Sequence, residues 1–216
     1  MRTKIMEAVR SEKLIVIVRG VEQKKLIPLA QAMYDGGIRM LEITYDAEKK
    51  QSDTDTAKSI EMLATAFEGK LLIGAGTVMN EEQVALTKRA GGSFIISPDV
   101  SAAVIRQTRE LEMVSIPGAL TPTEITSAHR SGADFIKLFP AVSMGVEYVK
   151  ALRAPLSHID LLAVGGINEG NIRDYLNAGV CGFGISSNIV NRALIAENRF
   201  DALRELASKY VSAVKL

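Results

Sequence analysis

The chain has 216 residues, 47% of them hydrophobic and 24% charged, with 26 basic against 25 acidic side chains and a formal net charge of +1. That length suits one large domain or two small ones and is enough to bury about 70% of the unfolded surface. The near-neutral balance, without a basic stripe interleaved with aromatics, excludes a general attraction to nucleic acid or to an anionic membrane, so any anion site must be local.

The first twenty residues, "MRTKIMEAVRSEKLIVIVRG", read as a helix and then a strand. Their apolar run is short, charges stand on both sides of it, and no small-residue cleavage site follows, unlike a signal peptide. No stretch approaches the ~20 apolar residues that span a bilayer. From there, short β-rich apolar runs recur along the chain: 14–19, 39–44, 71–77, 93–98, 113–118, 134–140, 160–166 and 181–186. Helix-period segments such as "KKLIPLAQAMYDGG" and "EEQVALTKRAGG" separate them. Several end in the glycine expected at a helix C-terminus, at Gly36, Gly37, Gly91, Gly92, Gly132 and Gly179. Asn80 before "EEQV", and Thr121 with Glu124 as a capping box, are helix starts.

Strands that alternate with helices, and that are apolar almost throughout, imply a parallel sheet covered on both faces. Eight such units favour one closed (β/α)8 TIM barrel over residues 1–216, with the extra helix at its N-terminus. The rival is an open doubly wound sheet. It calls for a glycine fingerprint after the first strand, where this chain reads "VIVRGVEQKK". Cys181 is the single cysteine, so no intrachain disulfide can form and a reducing, cytoplasmic setting fits. Its context, "AGVCGFGIS", reads as a small core residue of a strand rather than a nucleophile.

Function in a barrel sits where strands end at the C-terminal face. Those ends carry Arg19, Glu42 with Thr44, Thr77, Pro98, Pro117, Lys137, Val164 with Gly165 and Gly166, and Ser186. In "DFIKLFPA", Phe135, Lys137 and Phe139 share a face of an extended strand; in "RMLEIT", Glu42 and Thr44 share the face opposite Leu41 and Ile43. A lysine or a glutamate in such a place is rarely buried unpaired. One reading is a structural ion pair across the barrel. The other gives them separate work: burial and a neighbouring cation such as Arg19 lower the Lys137 pKa, so that a neutral amine attacks a ketone, while Glu42, raised by burial, shuttles protons. "AVGGIN", the following helix "EGNIRDYLNAG", and "GFGISSN" suggest a phosphate cradle at Gly165, Gly166, Gly184 and Ser186, although tight turns also use glycine. Metal chemistry is poorly supported: His129 falls in a helix, His158 precedes a strand, and there is no third histidine.

The segments "VRG", "GGIRMLEIT", "GAGTV", "FIISP", "IPGALTPTE", "FIKLFPA" and "VGGINEGNIRDYLNAG", in this order, resemble the class I aldolases that cleave 2-keto-3-deoxy-6-phosphogluconate and, in some members, 4-hydroxy-2-oxoglutarate. The resemblance runs over nearly the whole chain. It implies Lys137 as the pyruvate Schiff-base residue and Glu42 as the general acid/base. It also implies Thr77 and Phe139 at the keto acid, Arg19 near the carboxylate or the lysine, and phosphate contacts at Gly165, Gly166 and Ser186. With Thr44, Pro98, Val164 and Gly184 from the strand-end reading, these make the candidate site. No cofactor or metal, a phosphorylated keto acid and pyruvate as ligands, and a homotrimer are the remaining implications.

Two departures stand out. Many phosphogluconate aldolases have an arginine after the strand-two threonine, where this chain has Tyr45 and Asp46, leaving Lys49 or Lys50 as alternative cations. Ala163 and Val164 replace a Pro-Thr pair, and Val164 resembles the branch acting on the galactonate epimer. A phosphosugar isomerase or epimerase, and a catalytically silent phosphate binder, are the competing functions on the same barrel.

Overall fold

In the computed structural model, which describes residues 2–48 and 50–215, the chain closes into a parallel β-barrel ringed by helices. The order is α1 (Arg2–Glu12), β1 (Leu14–Val18), α2 (Gln23–Asp35), β2 (Met40–Thr44), α3 (Asp53–Ala66), β3 (Leu72–Gly76), α4 (Glu81–Arg89), β4 (Phe94–Ile96), α5 (Ala102–Glu110), β5 (Val114–Ile116) and β6 (Gly118–Ala119). There follow α6 (Pro122–Arg130), β7 (Ile136–Leu138), α7 (Ala141–Arg153), β8 (Leu161–Val164), α8 (Ile172–Asn177), β9 (Gly182–Ile185), α9 (Arg192–Ala196) and α10 (Phe200–Lys215).

The strands pair as β5-β4-β3-β2-β1-β9-β8-β7-β6. The two outer members of that order are one strand interrupted at Pro117, which has no N–H to give the ladder. Lys137 N–H still donates to the Pro117 carbonyl at 2.9 Å, so pairing continues across the break and the ring closes. Eight expected strands thus become nine segments of a (β/α)8 barrel.

The period of two sorts each strand. Leu41, Ile43, Ile73, Ala75, Ile136, Leu138, Leu161 and Ala163 face the helices in one continuous core. Ile15, Met40, Phe94, Ile96, Val114, Ile116, Phe135 and Leu162 pack together in a second cluster inside the barrel. The N-terminal helix closes that cluster from below through Ile5 and Val9. Arg2 pairs with the buried Asp134 carboxylate, which also accepts the Ser115 N–H at 2.9 Å, and Arg10 Nη2 reaches Asp160 at 2.9 Å. The interior is therefore apolar at its N-terminal end, and chemistry can begin only above it.

Several helix ends follow the expected signals. Asn80 accepts from Gln83 N–H, and Thr121 with Glu124 completes a capping box. Of the glycine pairs, Gly37 and Gly91 adopt left-handed φ, as do Gly132 and Gly179. The helix expected over "EGNIRDYLNAG" is shorter than its pattern. Asn168 accepts from Gly170 N–H, and Asn171 Oδ1 accepts from Asn168 N–H, so these side chains hold a turn and α8 starts only at Ile172. The start of α8 therefore lies away from Gly165 and Gly166; it is the first turn of α7 that abuts them, with Val142 N–H donating to the Gly165 carbonyl at 3.2 Å. No described helix is long and apolar enough to cross a membrane.

Candidate active site

A cleft of about 460 Å³ opens above the apolar floor, at the C-terminal end of the strands. It is lined by eleven residues that the sequence singled out: Arg19, Glu42, Thr77, Pro98, Lys137, Phe139, Val164, Gly165, Gly166, Gly184 and Ser186. They come from strands β2, β7, β8 and β9 and from the segments that follow β1, β3, β4, β7, β8 and β9. Thr44 is the exception. Its hydroxyl is turned toward the Val18 carbonyl at 3.4 Å, and it lines a separate side cleft that shares Arg19. Ile17, Ile167, Ser187 and Asn188 complete the lining without having been anticipated. Ile17 was within reach of the alternation rule, two residues before Arg19. Asn188 was not, because only the fold brings its side-chain amide to the Ile167 carbonyl at 3.0 Å, tying two loops together.

Lys137 projects inward from β7, one turn of the pleat above Phe135, and is buried. Burial lowers its pKa; the Glu42 carboxylate opposes that shift and the Arg19 guanidinium adds to it. Its ammonium nitrogen lies 5.0 Å from the centroid of the Phe139 ring. Glu42 is 1% exposed, and burial raises its pKa against the pull of Lys137 and Arg19. The ion pair that one reading of the sequence offered is absent: Glu42 Oε2 has no hydrogen-bond partner, and no salt bridge joins Glu42 to Lys137 among the described residues. The two groups interact through space while each stays available for chemistry.

Glu42 fits because of its neighbour. Thr44 pairs with Gly76 in the β2–β3 register, and a Cβ on Gly76 would collide with the Glu42 carboxylate. The next residue, Thr77, has φ +56°, a left-handed conformation that costs a side-chain-bearing residue free energy. It places Thr77 Oγ1 2.9 Å from Arg19 Nη2, which donates to it. Gly165 and Gly166 have φ +94° and +78°, so the chain turns sharply as it leaves β8.

The loop that departs from the resemblance is self-contained. Asp46 accepts from the backbone N–H groups of Gln51 and Glu48, both at 3.0 Å, which hold its carboxyl below the usual range. Tyr45 is buried, its hydroxyl against Thr87 Oγ1 at 3.0 Å. Lys50 pairs with Glu48, and Lys49 lies outside the described residues. Elsewhere, burial pushes the Cys181 thiol up to about 12, which suits a structural role. His129 and His158 stack edge-on at 5.5 Å, both exposed, but no group of three or more metal-ligating side chains occurs among the described residues.

An interior lysine whose charge burial disfavours, facing an unpartnered buried carboxyl, is equipment for imine chemistry. The sequence matches the family described as KDPG and KHG aldolase over residues 5–206. The chain belongs to that family. It is 32% identical over 203 residues to the 2-dehydro-3-deoxy-6-phosphogalactonate aldolase of Escherichia coli strain K12, covering 94% of this chain and 96% of that one. It is also 32% identical over 215 residues to the 2-dehydro-3-deoxy-phosphogluconate aldolase of Haemophilus influenzae, covering 98% and 97%. Among solved structures, the KDPG aldolase of Legionella pneumophila, with pyruvate captured at low pH as a covalent carbinolamine, matches with a TM-score of 0.84 at 29% identity, covering 94% and 96%.

Two outcomes follow from this geometry. Gly76→Ala should fold, because the nearest atoms its Cβ would meet all belong to the Glu42 side chain, but displace the Glu42 carboxylate and lower aldol cleavage by about a hundredfold or more, read in a coupled assay alongside circular dichroism. Replacing both buried ionisable groups, as Glu42→Leu with Lys137→Met, should abolish cleavage and stabilise the fold by about 1–4 kcal/mol at pH 7. The Glu42 penalty exists only above its unfolded pKa and the Lys137 penalty only below its unfolded pKa. The gain should therefore shrink below about pH 4.5 and above about pH 10.5, the ordinary values of the two groups, in urea unfolding across pH.

Proposed function

We propose that this protein is a class I aldolase that cleaves a 2-keto-3-deoxy-6-phospho sugar acid to pyruvate and glyceraldehyde 3-phosphate through an imine on Lys137. The observation that carries the reading is the buried Lys137 amine, disfavoured as a cation, across from an equally buried and unpartnered Glu42. A carbinolamine is what a neutral amine forms with a ketone, and Lys137 is the amine in this cleft.

The neutral Nζ attacks the keto carbon, forming the C–N bond while the carbonyl oxygen takes a proton. Glu42 in its acid form protonates the departing hydroxyl, water leaves, and a protonated imine results. As a carboxylate, Glu42 then takes the proton of the C4 hydroxyl. The C3–C4 bond breaks, its electron pair moves into the iminium to give an enamine, and glyceraldehyde 3-phosphate departs. Protonation at C3 and hydrolysis release pyruvate and the free amine. Arg19, held by Thr77, supplies positive charge for the keto-acid carboxylate and helps keep Lys137 neutral before the imine forms. Thr77, Pro98 and Phe139 bound the pyruvate end; Gly165, Gly166, Gly184 and Ser186 receive the phosphate.

The C4 epimer is read by Val164. Its isopropyl group lines the cleft at the end of β8 and offers a hydroxyl no hydrogen bond, which favours the galactonate epimer as a second reading. Isomerase and silent-binder readings lack a comparable supporting observation, since neither uses a buried amine. A cytoplasmic setting agrees with the single cysteine. Assembly as a homotrimer rests on the family resemblance; Val142 at 42% and Met144 at 41% exposure are apolar side chains that an interface between copies would cover.

Incubation with pyruvate and borohydride should add one reduced pyruvate at Lys137, located by peptide mass spectrometry. An unlabelled, folded protein would refute the mechanism, and turnover of the two C4 epimers decides the substrate. Light scattering should give three times the 23.3 kDa chain mass; a monomer mass would remove the trimer.

A further inference from the structure

The cradle of Gly165, Gly166, Gly184 and Ser186 contains only neutral donors. A phosphate monoester carries about −1.5 to −2 charge near pH 7, so a nearby cation strengthens its binding beyond what neutral donors give. Of the two cations lining the central cleft, Lys137 is engaged at the keto carbon and Arg19 is held by Thr77 Oγ1. Neither is free for the other end of the substrate.

A second cleft of about 450 Å³ adjoins the first and shares Ile17, Arg19, Ser186 and Ser187 with it. Arg192 lines this cleft, and it also lines the side cleft beneath the 44–51 loop. Its position is built rather than accidental. Asn191 Oδ1 accepts from the backbone N–H groups of Ala193 at 3.0 Å and Leu194 at 3.1 Å, fixing the point where Arg192 leaves the chain. The guanidinium lies against Gly20, just beyond Arg19: a Cβ there would be 3.4 Å from Arg192 Nη2.

The acids around it are already committed. Glu22 pairs with Lys24 at 2.8 Å, Glu48 with Lys50, and Asp46 with the backbone of its own loop. Among the described residues the Arg192 side chain has neither an ion pair nor a hydrogen bond. Arg192 does not line the central cleft that holds Lys137, so a group that reaches it lies several atoms from the keto carbon. That describes the phosphate end and excludes the pyruvate carboxylate.

Resting on the aldolase reading above, we infer that Arg192 is a specificity-determining residue that grips the substrate phosphate from the β9–α9 side, supplying the charge that the glycine and serine cradle lacks. A planar guanidinium suits a phosphate because it can donate two parallel hydrogen bonds. Arg192 thus comes from a different loop than the one after β2 and serves the opposite end of the substrate from the arginine absent there.

The test compares condensation of pyruvate with glyceraldehyde 3-phosphate and with glyceraldehyde, which differ only in the phosphate. In Arg192→Ala and Arg192→Gln, the ratio of kcat/KM for the phosphorylated over the unphosphorylated aldehyde should fall about tenfold or more, mainly through KM. Arg192→Lys should recover part of it, and the wild-type ratio should fall with added salt. An unchanged ratio, or equal losses with both aldehydes, overturns the assignment. Borohydride trapping of pyruvate on the wild-type protein reports separately on Lys137, so failure of the aldolase reading is distinguishable from failure of this one.

Discussion

The site depends on withholding water from one amine. Lys137 stands directly above an interior packed with Phe135, Met40, Phe94, Val114 and Leu162, sealed from below by Ile5 and Val9. That apolar column makes the ammonium costly and shifts Lys137 toward its neutral amine. Nothing in the lysine itself would do this. The N-terminal helix, remote from the chemistry, contributes by closing the lower end of the same column.

The remaining features serve that amine without neutralising it. A close ion pair with Glu42 would hold Lys137 charged and would occupy the acid as well. The barrel instead places the carboxyl in a hollow that Gly76 leaves open, near enough to interact and too far to pair. Arg19 adds positive charge and is held by Thr77, whose left-handed backbone is strained. Two desolvated groups, an orphaned carboxylate oxygen and a strained threonine together weaken the fold where the reaction needs them, a trade familiar in enzymes. The large continuous core between barrel and helices supports that weakness.

Much of this was legible in the chain. Regular β-rich runs separated by helical periodicity gave the barrel, and period-two alternation put Lys137 and Glu42 on the inner face. The glycine and asparagine signals located helix ends because those depend on local backbone conformation. Reading failed where side chains compete with the local pattern or where distant loops meet. Asn168 and Asn171 shortened α8, and Pro117 divided a strand. Thr44 has the right type and face, yet its hydroxyl turns to Val18. Asp46 stands where many relatives carry an arginine, and only the fold shows its carboxylate taken up by the backbone of its own loop.

The sequence by itself determined the barrel class, the inward lysine and glutamate, and the family, because alternation, capping and motif order are properties of neighbours along the chain. Only the tertiary structure decided that Glu42 and Lys137 stay unpaired, that Thr77 takes up Arg19, that Asn188 ties two loops, and that Arg192 approaches Gly20. These are distances between segments far apart in sequence. They are set by closure of the ring and by the space that neighbouring side chains leave, and no local pattern encodes them.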